Sequence, residues 1–233
     1  MDKNQVLETI KLARENSKKR KFDQSFDVIV NLTHIDLKKP EHNVDSFVVL
    51  PHGKGKPAKI CALVGKQLAE QANIFDKVIR EEEFDKYQGN KPAIKKLAEE
   101  YDLFIAQANL MGKIATIFGR ILGPRGKMPN PKSGCIIPPG ADLNAMKSRL
   151  TNLIRVRTNK EPIVKSTFGK ESMKDENLAE NFMALYNSFV HSLPQEEKNV
   201  RDVKIKLTMG NAFAVGGKKE LKQKLKETVK VEE

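Results

Sequence analysis

The sequence predicts a two-domain protein of mixed class, α/β and α+β, in which a discontinuous α+β domain made from both ends of the chain receives an inserted α/β domain. Three observations predict it. The middle of the chain alternates short apolar strands with helical stretches, the pattern of an open sheet with helices on both faces and hence three layers. The two ends instead supply longer amphipathic strands and helices of α+β style. A breaker-rich segment, "PHGKGKPAK" at residues 51–59, and a second change of style after residue 152 mark two crossings between the halves. The expected boundaries are residues 1–57 with 154–233 for the terminal domain and 58–153 for the inserted one, with a hinge at the crossings. At 233 residues the chain can bury a core in each.

Each element has its own warrant. Val6, Leu7, Ile10, Leu12 and Ala13 fall near helical spacing, so residues 1–17 read as a helix. "FDVIVNL" (26–32) and "SFVVL" (46–50) are strands rich in β-branched residues. In the middle come the strand "KICALVG", a helix near 66–72, a short strand around Val78, a helix near 92–100, the strand "LFIAQA", and helices near 110–118 and 143–152. Beyond them "IRVRT" and "PIVKSTFG" are strands, and residues 176–192 form a long helix with Leu178, Phe182, Leu185, Tyr186 and Phe189 as its buried stripe. "VKIKLTMG" (203–210) alternates Val203, Ile205 and Leu207 with Lys204 and Lys206, a strand with one buried and one solvated face. The charged tail from Lys218 is expected to be a frayed helix.

Lys and Arg outnumber Asp and Glu by 42 to 30, a net charge of +12 that favours a polyanionic partner. No apolar run reaches the roughly 18 to 20 residues that a membrane span requires, and no apolar signal region opens the chain, so an intracellular protein without a membrane partner is expected. Cys61 and Cys135 lie in separate apolar contexts, as small core residues do. The histidines, His34, His42, His52 and His191, show no metal-ligand spacing. Glu81, Glu82, Glu83 and Asp85 read as a solvated helix end, since neighbours on a helix point different ways.

The segment "GRILGPRGKMPNPKSG" (119–134) invites a phosphate-cradle reading, which fails on its residues. A P-loop needs glycine five places before its Gly-Lys pair and a hydroxyl after it; Ile121 and Met128 stand there. The short match at Gly53, Gly55 and Ala58 precedes a strand and cannot open a helix as a dinucleotide fingerprint must. A nucleotide-dependent enzyme built on the inserted domain therefore lacks both cradle and nucleophile, and no helix-turn-helix or basic zipper favours duplex DNA. No cofactor is expected.

Cations dominate what remains. No acid occurs between Asp102 and Asp142, whereas Lys113, Arg120, Arg125, Lys127 and Lys132 do, giving that loop a positive field open to RNA or to the other domain. "SKKRKF" sets four cations before Phe22, a pairing of phosphate-neutralising charge with a ring that can stack on a base. "LTMG" ends a lysine-bearing strand with a hydroxyl, a flexible apolar side chain and bare backbone, all suited to ribose contact.

Taken together, "GRILGPRGKMPNPKSG", "KRKFDQSFDVIVNL", "LPHGKGK", "GKESM" and "LTMG", which span nearly the whole chain, resemble the L-one family of the large ribosomal subunit, in its archaeal form. The resemblance implies a split β-α-β core in the terminal domain and a Rossmann-like inserted domain that binds no nucleotide. It implies an RNA site at Lys21, Phe22 and Ser25, at Gly169, Lys170 and Ser172, and at Thr208, Met209 and Gly210, with Arg120, Arg125, Lys127 and Lys132 as a secondary basic loop. The implied partners are the stalk region of large-subunit ribosomal RNA, exit-site transfer RNA and the protein's own messenger RNA leader. The implied protein is a monomer when free and does no chemistry. Ser25 stands where many relatives have threonine, and Gln24 where glutamate is common in some; each keeps a hydrogen-bonding group.

Overall fold

The computed structural model describes residues 1–36, 39, 42–138, 141–158 and 161–216, so the charged tail lies outside the described residues. The chain begins with α1 (Lys3–Glu15), β1 (Ser25–Leu32) and β2 (Asp45–Val49). It continues through β3 (Ile60–Val64), α2 (Lys66–Ala69), β4 (Lys77–Arg80), α3 (Phe84–Tyr87), α4 (Lys91–Glu100), β5 (Leu103–Gln107), α5 (Met111–Leu122), β6 (Ile136–Ile137) and α6 (Leu143–Thr151). The last elements are β7 (Leu153–Arg157), β8 (Ile163–Lys170), α7 (Asp175–Val190), β9 (Val200–Leu207) and β10 (Phe213–Ala214). It is a mixed α/β fold with seven helices and three sheets among the described residues.

Contacts group the chain into two compact units, Met1–Lys56 with Ile154–Glu233 and Pro57–Leu153. In the first, an antiparallel sheet runs in the order β10-β9-β1-β8. Phe26, Val28, Val30 and Leu32 of β1 point to one side, where α1 and α7 cover them, because strand side chains alternate. The α7 stripe of Leu178, Phe182, Leu185, Tyr186 and Phe189 is buried in that core. Phe182 meets Phe168 of β8 edge-on at 5.5 Å between ring centroids. Strands β2 and β7 form a separate two-stranded sheet.

The second unit holds a parallel sheet in the order β4-β3-β5-β6. All five residues of β3 are buried, as expected of a parallel strand covered on both faces. Helix α4 is started by the Asn90 side chain, which accepts from Ala93 N at 3.2 Å, and α6 by Asp142, which accepts from Asn144 N and Ala145 N. Both cysteines are buried, and burial pushes the Cys61 thiol up to about 12, so neither is poised as a nucleophile. Three short elements escape the periodicity reading: β6 and β10, of two residues each, and the single turn α3. The acidic run is a 3-10 turn (Glu81–Glu83) leading into α3, and it is paired: Glu82 binds Lys66 and Glu81 binds Lys113.

Candidate nucleic-acid interface

Strands β8 and β9 both run antiparallel to β1 and flank it, so their C-terminal ends meet its N-terminal end. Ser25 pairs with Lys170, and Phe26 lies between Gly169 and Leu207. That register gathers three segments, Lys21–Ser25, Gly169–Ser172 and Thr208–Gly210, with a bond spanning 183 residues of sequence between Ser25 and Thr208. Thr208 N donates to Ser25 O at 3.0 Å, and Thr208 Oγ1 accepts from Ser25 N at 3.0 Å. The Lys170 ammonium donates to Asp23 O at 2.9 Å; Ser172 donates through its N and its Oγ to the two Asp23 carboxylate oxygens at 3.1 and 3.0 Å.

On this edge Phe22 is 53 % and Met209 61 % exposed, the two most exposed large apolar side chains among the described residues. Lys18, Lys19, Arg20 and Lys21 are exposed beside them. An aromatic ring and a thioether held in solvent next to four cations form a surface for a ligand with both phosphates and flat apolar faces.

Gly169 and Gly210 serve this surface differently from their neighbours. Gly169 is buried, and a Cβ there would overlap Leu178 Cδ2 of α7; a Cβ at Gly210 would overlap Ser17 Oγ. Each glycine lets its strand end approach a neighbouring segment closely, so its part is to provide space.

Three further residues support these segments, and the sequence had singled out only Gln24 among them. Gln24 is 1 % exposed: its Oε1 accepts from Met209 N at 3.2 Å, its Nε2 donates to Glu171 Oε2 at 3.3 Å, and its main-chain O accepts from Glu171 N at 2.8 Å. Arg14 of α1 lies over the Phe26 ring and donates to Glu171 O at 2.5 Å, Met173 O at 3.1 Å and Asp175 Oδ1 at 2.8 Å, so it fastens the loop that carries Ser172. Asp23 ties that loop to the first segment. The signal for Gln24 was its departure from the glutamate of some relatives; Arg14 and Asp23 had none.

The basic loop is built into its own unit. Lys127 Nζ donates to Ala98 O and Tyr101 O, each at 2.8 Å, at the C-terminal end of α4, where unpaired carbonyls and the helix dipole attract a cation. Arg125 pairs with Glu99 at 3.1 Å on the same helix. Arg120 and Lys132 remain exposed. The field expected from four cations is thus partly neutralised by α4.

At the C-terminal ends of β3, β4 and β5 lies a crevice of about 770 Å³ lined by Gly65, Lys66, Glu81, Glu82, Gln107 and Lys113 among others. Its lysines face carboxylates: Lys66 meets Glu82 at 2.5 Å, which raises the lysine pKa and lowers the glutamate's, and Lys113 binds Glu81. Among the described residues no group of three or more His, Cys, Asp or Glu is arranged to hold a metal, and no helix is long and apolar enough to cross a membrane.

Comparison with known proteins bears on the same segments. The pattern of the ribosomal protein L1p/L10e family matches residues 13–211, a span that includes every segment of the interface. Large ribosomal subunit protein uL1 of Methanocaldococcus jannaschii is 40 % identical over 224 residues, covering 96 % of this chain and 100 % of that protein. Its namesake in Nanoarchaeum equitans is 42 % identical over 216 residues, covering 90 % and 98 %, and that of Pyrococcus horikoshii is 39 % identical over 218, covering 93 % and 97 %. With relatives matched almost from end to end and the family pattern spanning most of its length, the chain belongs to the ribosomal protein L1p/L10e family, whose members are structural and not enzymes.

Proposed function

We propose that this chain binds the stalk region of large-subunit ribosomal RNA through the edge formed by Lys21–Ser25, Gly169–Ser172 and Thr208–Gly210. The observation that carries this reading is the convergence of those segments, with Phe22 and Met209 held exposed beside the cations Lys18–Lys21. The names of the relatives, all large-subunit proteins, support it. As part of the stalk the protein assists release of deacylated transfer RNA from the exit site. It also represses its own synthesis by binding a similar structure in its messenger RNA. The first unit is a discontinuous domain with a split β-α-β core, and the second a Rossmann-like, three-layer inserted domain. Arg120 and Lys132 give the inserted domain a secondary contact with RNA.

Filter binding of the full chain to stalk RNA, its own messenger leader and an unrelated hairpin, across a salt series, tests the reading. Tighter binding to stalk RNA with a steep negative salt slope is expected. Equal affinity for the unrelated hairpin at every salt concentration would overturn it.

A further inference from the structure

Among the described residues, Gln24 is the side chain that links all three segments of the edge. It belongs to the first, accepts from the main chain of Met209 in the third, and donates to Glu171 in the second. A weaker 3.5 Å donation to Lys18 O reaches the start of the cationic run. The orientation of its carboxamide is settled by chemistry: the Met209 N–H can only donate and the Glu171 carboxylate can only accept, so oxygen faces one and nitrogen the other.

We propose that Gln24 is a positioning residue for RNA recognition, setting the spacing between Met209 and the Ser172 loop from beneath the surface. It is buried, so it acts through the residues it holds. The exposed faces of Phe22 and Met209 work as a unit only if their main chains stay fixed, and the entropic cost of fixing them on binding is thereby met during folding. The carboxylate of Glu171 supplies the acceptor, which makes the pair directional. A glutamate at position 24 would still accept from Met209 N but would face the Glu171 carboxylate across 3.3 Å, a like-charge contact that persists only if one of the two carboxyls takes up a proton.

This inference rests on the reading of the edge as an RNA site, and the test separates the two. Stalk RNA affinity is measured for the full chain as native protein, Gln24→Glu, and Gln24→Glu with Glu171→Gln, in which donor and acceptor are exchanged. The single variant is expected to bind about tenfold more weakly with an unchanged salt slope, as fits the loss of hydrogen-bonded order without loss of a phosphate contact. The double variant is expected to return to within about threefold of native affinity, because a carboxamide at position 171 can donate to a carboxylate at position 24. Native affinity in the single variant, or no recovery in the double, overturns the proposal. Should Gln24→Glu fail to fold, Gln24→Met keeps the volume and removes the bonds; it is expected to show the same tenfold loss and faster amide exchange at Met209. Native-like exchange at Met209 overturns the proposal whatever the RNA result. Indifference of the native protein to RNA sequence, by contrast, overturns the functional reading itself, a result distinct from loss of the Gln24 effect in a protein that does discriminate.

Discussion

Phe22 and Met209 each follow or precede a main chain that is hydrogen-bonded across the sheet end, yet both side chains point into water. Burying either ring or thioether would have been worth roughly 1.5 to 3 kcal/mol to folding, so their exposure leaves that energy available to a ligand. Phe22→Ala and Met209→Asp are therefore expected to weaken stalk RNA binding, the first by about 1 to 3 kcal/mol if the ring stacks on a base, with the fold intact. Their salt slopes are expected to match that of the native protein, whereas Lys21→Ala is expected to reduce the slope by about one unit. Unchanged dissociation constants in both apolar variants would remove these residues from the site. The sequence revealed Phe22, Met209 and the cations because exposed aromatic and basic residues stand out by type. It drew attention to Gln24 only through the resemblance and hid Arg14; the roles of both depend on distant partners, 185 residues away in the case of Gln24 and Met209.

Among the elements, α4 and α7 show how far periodicity reaches. The α7 stripe was legible residue by residue, and so was the buried face of β9, because burial follows the 3.6 and 2.0 repeats of the backbone. The two-residue strands β6 and β10 were not, since a repeat needs more than two positions to show itself. Nor was the destination of Lys127, which the composition of its loop presented as a free cation and the fold places on the last carbonyls of α4. Lys127→Ala is expected to lower stability by about 1 kcal/mol in urea denaturation and to leave the salt slope of RNA binding unchanged. A reduced slope with native stability would instead put Lys127 against phosphate. On the other unit, Gly169→Ala forces a methyl into Leu178 and is expected to cost about 1 to 3 kcal/mol. Combining it with Leu178→Ala is expected to cost less than the sum of the two single changes, because the second removes the atoms the first collides with.

Across the whole molecule, two separate sets of buried side chains explain why the chain can be read as two bodies. Val6, Phe26, Phe168, Phe182 and Ile205 belong to one, and Leu63, Ile94, Phe104, Ile114 and Phe118 to the other. All nine residues proposed for the RNA site lie in the unit made from the two ends of the chain, and the hydrogen bonds that hold Ser25, Ser172, Thr208 and Met209 in place are made within it. A protein made by joining the segment ending near Pro57 to the one starting near Ile154 should therefore retain the edge. It is expected to fold, with a cooperative thermal transition, and to keep most of the stalk RNA affinity and most of its salt slope. The slope is the more telling quantity, since it counts the phosphates neutralised and is insensitive to small changes in apolar contact. If Arg120 and Lys132 contribute in the intact protein, their loss would lower the slope by up to about two units, and Arg120→Ala with Lys132→Ala in the full chain should reproduce that decrease. A shortened protein that folds but does not bind would move the principal site to Pro57–Leu153, because the residues proposed here would then be present, ordered and insufficient.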